Sequence, residues 1–326
     1  MRGNEIFLEA KHLTKVFTTG TFLHRSKLVA VDDVSFSIPE GKPLILTLAG
    51  ESGSGKTTTA NLILGFIKPT SGEVLYRGKN IWKMSKKEWR EYRKEVQAVF
   101  QDPYGTFNPV HKVDHVLKTP IKKFKLANSE EEANELISKA LEMVGLRAEE
   151  ILGKYPHQLS GGQRQRIMLA RAFLTKPKLI VADEPVSMID ASLRAGILNI
   201  MLNMKKSGVS FLYITHDLST AYYISDEIII MYLGSIMEMG SSDIVMEEPL
   251  HPYTQLLLDS IPIPDPTHRW KEKIKLSAMK LSERNKMRTG CKFYEQCPRR
   301  MTQCAKKKPS LINVGKEHWV ACFLYE

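Results

Sequence analysis

The stretch "LILTLAGESGSGKTTTANLILGF", Leu44 to Phe66, runs from a continuous apolar segment into a helical pattern through a loop carrying three glycines. A short apolar run bounded by turn residues reads as a buried strand, and the apolar residues beyond the loop recur at helical spacing. The loop itself, Gly50, Glu51, Ser52, Gly53, Ser54, Gly55, Lys56 and Thr57, fits G-x-x-x-x-G-K-[ST]. In that pattern consecutive N–H groups curl around phosphate oxygens. The lysine reaches the β- and γ-phosphates, and the final hydroxyl meets Mg²⁺. Strand, glycine loop and helix in this order point to a nucleoside triphosphate site on an α/β core.

The rest of the chain is consistent with such a core. "IFLEAKHLTKVFTT" and "LVAVDDVSFSIPEG" alternate roughly with period two, as half-buried strands do. "KLIVADEP" and "SFLYITHD" read as buried strands joined by the helix "SLRAGILNIMLNMKKSG", a composition suited to a parallel sheet. Between about Asp102 and Lys176 the pattern is mostly helical, an insertion in the core. Within it "NSEEEANELISKALEMV", Asn128 to Val144, is an amphipathic helix with acids at its start.

Three strand ends carry candidate chemistry. Asp183 is placed to hold a magnesium ion directly or through water. Glu184 beside it can take a proton from an attacking water. His216 in "YITHD" ends the next strand and is read as a γ-phosphate contact. Gln101 in "VFQDP" is a polar sensor between nucleotide and insertion. A further anion site is written into "PHQLSGGQRQR": Ser160, Gly161, Gly162 and Gln163 open a helix whose first N–H groups are free. The phosphate loop already occupies one side of the nucleotide. Two chains facing head to tail would let each "SGGQ" cap the γ-phosphate held by the other.

All four cysteines fall in the tail, as Cys291-x5-Cys297-x6-Cys304-x17-Cys322. "IPIPDP", Ile261 to Pro266, separates them from the core, so residues 1–260 read as one domain and 261–326 as a linker and a small cysteine module. Four clustered thiols in a chain expected to stay in the cytoplasm suit a metal site better than disulfides. An iron–sulfur cluster and structural zinc both remain open, with His318 as a spare ligand. No apolar stretch reaches the length of a membrane span, and "MRGNEIFLEA" does not read as a signal peptide. Much of the net charge of +11 lies in local runs such as Arg269 to Lys275, which lack the repeated base-stacking aromatics that would suggest nucleic acid.

Taken together, "GESGSGKT", "FQDP", "LSGGQRQR", "LIVADEP" and "THD" resemble the nucleotide-binding subunits of ABC transporters. "FQDPYGTFNP", "HPYT" at His251 and the cysteine tail are similar to the oligopeptide, dipeptide and nickel import branch. The resemblance implies a P-loop ATPase of the ABC type with a helical insertion. It further implies a place on the cytoplasmic face of the membrane below two permease subunits, with an extracellular solute-binding protein and a second, identical or homologous ATPase subunit. It also implies that residues Gly50 to Thr58, Thr58 included, hold phosphate, and that Thr57, Gln101 and Asp183 bind Mg²⁺. Glu184 would be the catalytic base, His216 would position water, and Asp190 would cross the dimer. An aromatic, Phe17 in preference to Phe22, would stack on adenine. The tail resemblance favours a [4Fe-4S] cluster over Zn²⁺ at Cys291, Cys297, Cys304 and Cys322. "SMID" stands where "SALD" is usual, and "GKPLILTLAG" is longer than usual, yet no catalytic group is lost. Peptide is the expected solute, with oligosaccharide or nickel as alternatives. A soluble ABC-class ATPase of translation or DNA repair would carry two cassettes or a coiled-coil insertion, and a redox-responsive regulator would not need Glu184.

Overall fold

The two alternating runs become long strands, β1 (Ile6–Thr19) and β2 (Ser26–Pro39), and the apolar run before the glycine loop becomes β3 (Ile45–Ala49), buried at every residue. The computed structural model describes residues 5–19, 26–261 and 289–326. Phe22, the proline stretch beyond Ile261 and the basic run Arg269 to Lys275 lie outside them. After the loop come α1 (Lys56–Ile63), β4 (Ser71–Tyr76), β5 (Lys79–Asn80), α2 (Lys86–Glu95) and β6 (Val96–Val99). The helical insertion holds α3 (Pro103–Thr106), α4 (Val113–Phe124), α5 (Glu130–Met143), α6 (Ala148–Ile151) and α7 (Gly161–Phe173). There follow β7 (Leu179–Asp183), α8 (Ala191–Lys206), β8 (Ser210–Thr215), α9 (Leu218–Ile224), β9 (Glu227–Tyr232), β10 (Ser235–Ser241), α10 (Ser242–Glu247) and α11 (Pro252–Asp259). The tail adds a short helix, Thr302–Lys306, and two-residue strands β11 (Ile312–Asn313) and β12 (Trp319–Val320).

The chain divides into two units, the first built from Ile38–Ile45 and Tyr76–Ile214 with the residues up to Phe7. Its sheet is parallel, in the order β6–β7–β8, with Val99 opposite Ala182 and Asp183 opposite Ile214. Residues on both faces of β7 and β8 are buried, as a parallel sheet covered on both sides requires. In the insertion, α5 starts where the Ser129 hydroxyl accepts the Glu132 N–H, with Glu130 to Glu132 stacked on the positive end of the helix. Its Ile137, Ala140 and Leu141 share the buried face, and α5 packs against α7 and α4.

The second unit comprises Leu8–Ser37, Leu46–Leu75 and Thr215–Glu326. β2, β1 and β4 lie side by side in one sheet. In another, β3 pairs in parallel with β9, β9 pairs antiparallel with β10, and β12 adds antiparallel to β10, with Val320 opposite Glu238. The cysteine tail, expected to stand as a module of its own from residue 261, therefore extends this sheet. It also shares a core: Phe293, Cys291 and Cys304 are buried in one cluster with Tyr232, Tyr253 and Val245. A stretch of about forty residues cannot bury enough apolar surface to stand alone without a staple, and packing on the sheet supplies that surface.

Candidate active site

The second unit builds the phosphate loop, and its glycines are required by crowding as well as by turn geometry. A Cβ on Gly50, at φ +145°, would lie 2.2 Å from the Met231 carbonyl oxygen on β9. One on Gly55, at φ +101°, would lie 2.3 Å from the Ala30 carbonyl oxygen on β2. Only glycine accepts both the left-handed backbone and the close approach. Inside the loop, Ser54 N–H donates to the Glu51 carbonyl at 3.1 Å, and Gly234 N–H donates to the Ser54 carbonyl at 2.9 Å.

Lys56 opens α1 and is only 5% exposed. Its ammonium donates to the carbonyls of Gly50 at 2.7 Å and Glu51 at 2.8 Å, and to the Ser54 hydroxyl at 3.3 Å. A buried ammonium must be hydrogen-bonded, and here the loop it will serve satisfies it. Ser52, Gly53 and Thr57 are exposed at the mouth, with Thr58 half-buried. Phe17 lies half-buried on β1, and the Lys15 ammonium stands 5.2 Å over its ring. His216 is exposed between β8 and α9, immediately before the α9 cap, where the Asp217 carboxylate accepts the N–H groups of Ser219 and Thr220.

The first unit holds the acids. Asp183 ends β7 and Glu184 follows it, both half-buried. Gln101 and Glu184 each stand two residues beyond the Val99–Ala182 pair of the parallel ladder, so the register itself sets them opposite one another. The Gln101 amide donates to Glu184 Oε2 at 3.0 Å, which leaves the amide oxygen for another partner. Glu184 also has φ +45°, a left-handed conformation that glutamate rarely takes. Its N–H donates to the Ile214 carbonyl at 2.9 Å, and its own carbonyl accepts from the Ser187 hydroxyl at 3.0 Å. Such strain, held in place by neighbouring bonds, is a mark of functional positions. An acid fixed in this way can accept a proton from a nearby water.

Ser160 caps α7 in a reciprocal box. Its hydroxyl accepts the Gln163 N–H at 3.2 Å, and Gln163 Oε1 accepts the Ser160 N–H at 3.0 Å. Ser160 is exposed, Gly161, Gly162 and Gln163 half-buried. Asp190 stands exposed at the start of α8 and makes no capping bond to it. Two residues escaped the sequence reading. Gln165 is fully buried on α7 with neither amide atom hydrogen-bonded, and Tyr253, known only as part of "HPYT", reaches the phosphate loop. No sequence pattern announces either feature, since both depend on which elements meet.

The tail departs from expectation. Among the described residues no group of three or more His, Cys, Asp or Glu side chains is arranged to hold a metal ion. All four cysteines are reduced and line one small cavity together with His251 and Tyr294. Burial pushes the Cys291 thiol up to about 11, and burial also raises Cys297 and Cys322. Protonated thiols have no charge to draw them round a cation, and ligation requires their deprotonation. His318 is engaged elsewhere, its Nε2 lying 2.7 Å from Glu238 Oε1.

The family described as ABC transporter matches residues 31–187, and the oligopeptide/dipeptide transporter C-terminal region matches residues 237–304. The oligopeptide transport ATP-binding protein OppF of Haemophilus influenzae is 38% identical over 98% of this chain and 97% of its own length. The chain belongs to the ABC transporter ATP-binding proteins. The cassette is also 41% identical to the dipeptide transport ATP-binding protein DppF of Escherichia coli, over 93% of this chain and 89% of that one. Among solved structures, an ATP-binding cassette dimer in a post-hydrolysis state bound to ADP and Pi covers 72% of this chain and 98% of its own, at 28% identity and a TM-score of 0.63. The P-loop α/β fold of the cassette is thus that of its family, and no helix among the described residues is long and apolar enough to cross a membrane.

Proposed function

We propose that this cassette hydrolyses ATP to energise an importer of oligopeptides or dipeptides. The reading rests first on Lys56, an ammonium held 5% exposed on main-chain carbonyls at the mouth of a helix. Nothing in a structural loop calls for a cation there, whereas a triphosphate does. The names carried by the H. influenzae and E. coli relatives favour peptide as the solute.

In this reading Lys56 and the N–H groups from Gly50 to Thr58 bind the β- and γ-phosphates, and Phe17 stacks on adenine. Thr57, Gln101 and Asp183 carry the oxygen donors that suit Mg²⁺, which when bound neutralises charge on the phosphate oxygens. Glu184, oriented by Gln101, takes the proton of the attacking water, and His216 holds that water and the γ-phosphate. Ser160 to Gln163 and Asp190 serve the nucleotide of a second cassette, identical or homologous. The helical insertion, about 102–176, receives one of two permease subunits from the cytoplasmic face of the membrane, and an extracellular binding protein delivers the solute.

Cys291, Cys297, Cys304 and Cys322 would hold a [4Fe-4S] cluster, with Zn²⁺ as the alternative. Support comes from the donor set: four thiols and no carboxylate line the cavity. A centre ligated by all four would be structural or redox-sensing and would take no part in hydrolysis. The functional test is the assembly in proteoliposomes with its binding protein. Peptide-loaded binding protein should stimulate ATP turnover severalfold. Stimulation only by an oligosaccharide or nickel would displace the peptide reading, and no stimulation by any solute would displace transport.

A further inference from the structure

The peptide between Gly50 and Glu51 is held at both polar ends. Its carbonyl accepts from Lys56 Nζ at 2.7 Å, and its N–H donates to the Tyr253 hydroxyl at 3.1 Å. Glycine at φ +145° imposes little on the rotation of that peptide, so groups outside the loop must set it. Lys56 cannot hold it throughout a nucleotide cycle, because the same ammonium must turn to phosphate. Tyr253 is under no such demand.

Tyr253 is fully buried on α11, and its surroundings would suit phenylalanine. Its ring lies 4.6 Å from Tyr232 and 5.4 Å from Phe293, centroid to centroid. A hydroxyl in an aromatic cluster is costly unless it finds a partner, and the phosphate loop provides one. Its main chain is fixed as well. His251 Nδ1 accepts the Tyr253 N–H at 3.0 Å, and the Glu238 carboxylate accepts the N–H groups of Leu250 and His251 at 2.8 and 2.9 Å. The phenol is thus aimed at the loop from a rigid base.

That base continues into the cysteine tail. Phe293 is fully buried two residues after Cys291, whose N–H donates to the Cys304 carbonyl at 2.7 Å. Between them Lys292 pairs with Asp32 at 2.9 Å. Asp32 N–H in turn donates to Gly234, and Gly234 N–H to Ser54 of the phosphate loop. The tripeptide Cys291–Lys292–Phe293 therefore lies under two separate supports of the loop, one at Glu51 and one at Ser54.

We infer that Tyr253 is a positioning residue for the phosphate loop, and that through Phe293 the state of the cysteine tail sets how tightly the loop grips nucleotide. The inference rests on the proposed ATPase reading and adds a control to it. Whatever orders or loosens Cys291 and Cys304 moves Phe293, and with it the ring that carries the Glu51 hydrogen bond.

The test uses the full chain and a fluorescent ATP analogue with Mg²⁺. Tyr253→Phe removes only the hydroxyl and should raise the analogue Kd by about three- to tenfold, the equivalent of one hydrogen bond, with the melting temperature unchanged within about 2 °C. In the reconstituted transporter the same variant should raise KM for ATP by a similar factor and leave kcat within about twofold, a split that lost packing would not give. Phe293→Leu should weaken the analogue in the same direction. An unchanged Kd in Tyr253→Phe overturns the positioning role, and an unchanged Kd in Phe293→Leu overturns the link to the tail. A parent chain that binds no nucleotide fails differently, because it defeats the ATPase reading itself.

Discussion

The Gln101 side-chain amide donates to the Glu184 carboxylate at 3.0 Å, although 83 residues separate the two in sequence. The parallel register of β6 and β7 makes this contact, since each residue stands two places past the Val99–Ala182 pair. Glu184→Gln keeps the size and can still accept from Gln101, but it cannot take a proton. Nucleotide affinity should therefore stay within about threefold while phosphate release by the assembled transporter falls about a hundredfold or more. Turnover within a few-fold of the parent would remove Glu184 from the chemistry.

The backbone at Glu184 offers an independent measurement. At φ +45° any side chain with a Cβ is strained, and glycine is not. Glu184→Ala and Glu184→Gly delete the same carboxylate, so their difference reports the strain. The glycine variant should be the more stable of the two by about 1 kcal/mol in denaturant unfolding. Equal stabilities would mean the conformation costs nothing.

Ser160 has two separable duties, capping α7 and, in the proposed dimer, meeting the partner's nucleotide. Ser160→Ala should cost about 1 kcal/mol of stability through the lost cap. Ser160→Asn restores a capping oxygen but alters the group offered to phosphate. Stability should return in the asparagine variant while ATP turnover in the assembly stays low. Full recovery of both would reduce Ser160 to a cap.

Asp32 should give a pH signature. Burial raises its pKa, but Lys292 and Lys308 outweigh that and hold the carboxyl below its ordinary value near 3.8. A carboxylate whose folded pKa is depressed stabilises the native state above the unfolded pKa, and the gain disappears as the pH falls through the folded one. Near pH 7 Asp32→Asn should melt about 2–4 °C below the parent, the size expected of an ion pair. Below the folded value the two melting curves should converge. A gap that persists into strong acid would show that charge is not the source.

The cysteine site can be read chemically. Full-length protein prepared without oxygen should carry about four iron atoms per chain and a visible charge-transfer band if the cluster reading holds. About one zinc per chain would favour the alternative. Replacing Cys297 with Ser should lower the bound metal sharply. Protein that retains neither metal when purified and reconstituted would leave the four thiols as packing residues.

The phosphate loop, the acids after the core strands and the capped SGGQ helix were legible because each is local. Their chemistry depends on residue types within a few positions and on the strand or helix the same residues form. The β7–α8–β8 unit is legible for the same reason, since its short apolar runs on either side of a helix suit a parallel sheet covered on both sides. Prolines and cysteine clustering mark a change of composition, but whether the tail packs on the core depends on the exposed edge of β10 and the aromatic faces of Tyr232 and Tyr253, which composition does not report.

The cysteine spacing names possible donors but not how the fold arranges them. Four thiols are brought to one cavity, and burial there raises the pKa of Cys291, Cys297 and Cys322. Sequence named the donors, while their protonation and spacing belong to the folded environment.

What the amino-acid order settled alone is the chemistry available: a glycine loop with its lysine, an acid pair after a strand, a serine-capped helix. The tertiary structure decided which groups hold one another, such as Gln101 on Glu184 and Tyr253 on Glu51. The reason is physical. Local motifs are fixed by backbone geometry over a few residues, whereas hydrogen bonds between distant segments exist only after burial of the core has chosen a register and brought two surfaces into contact.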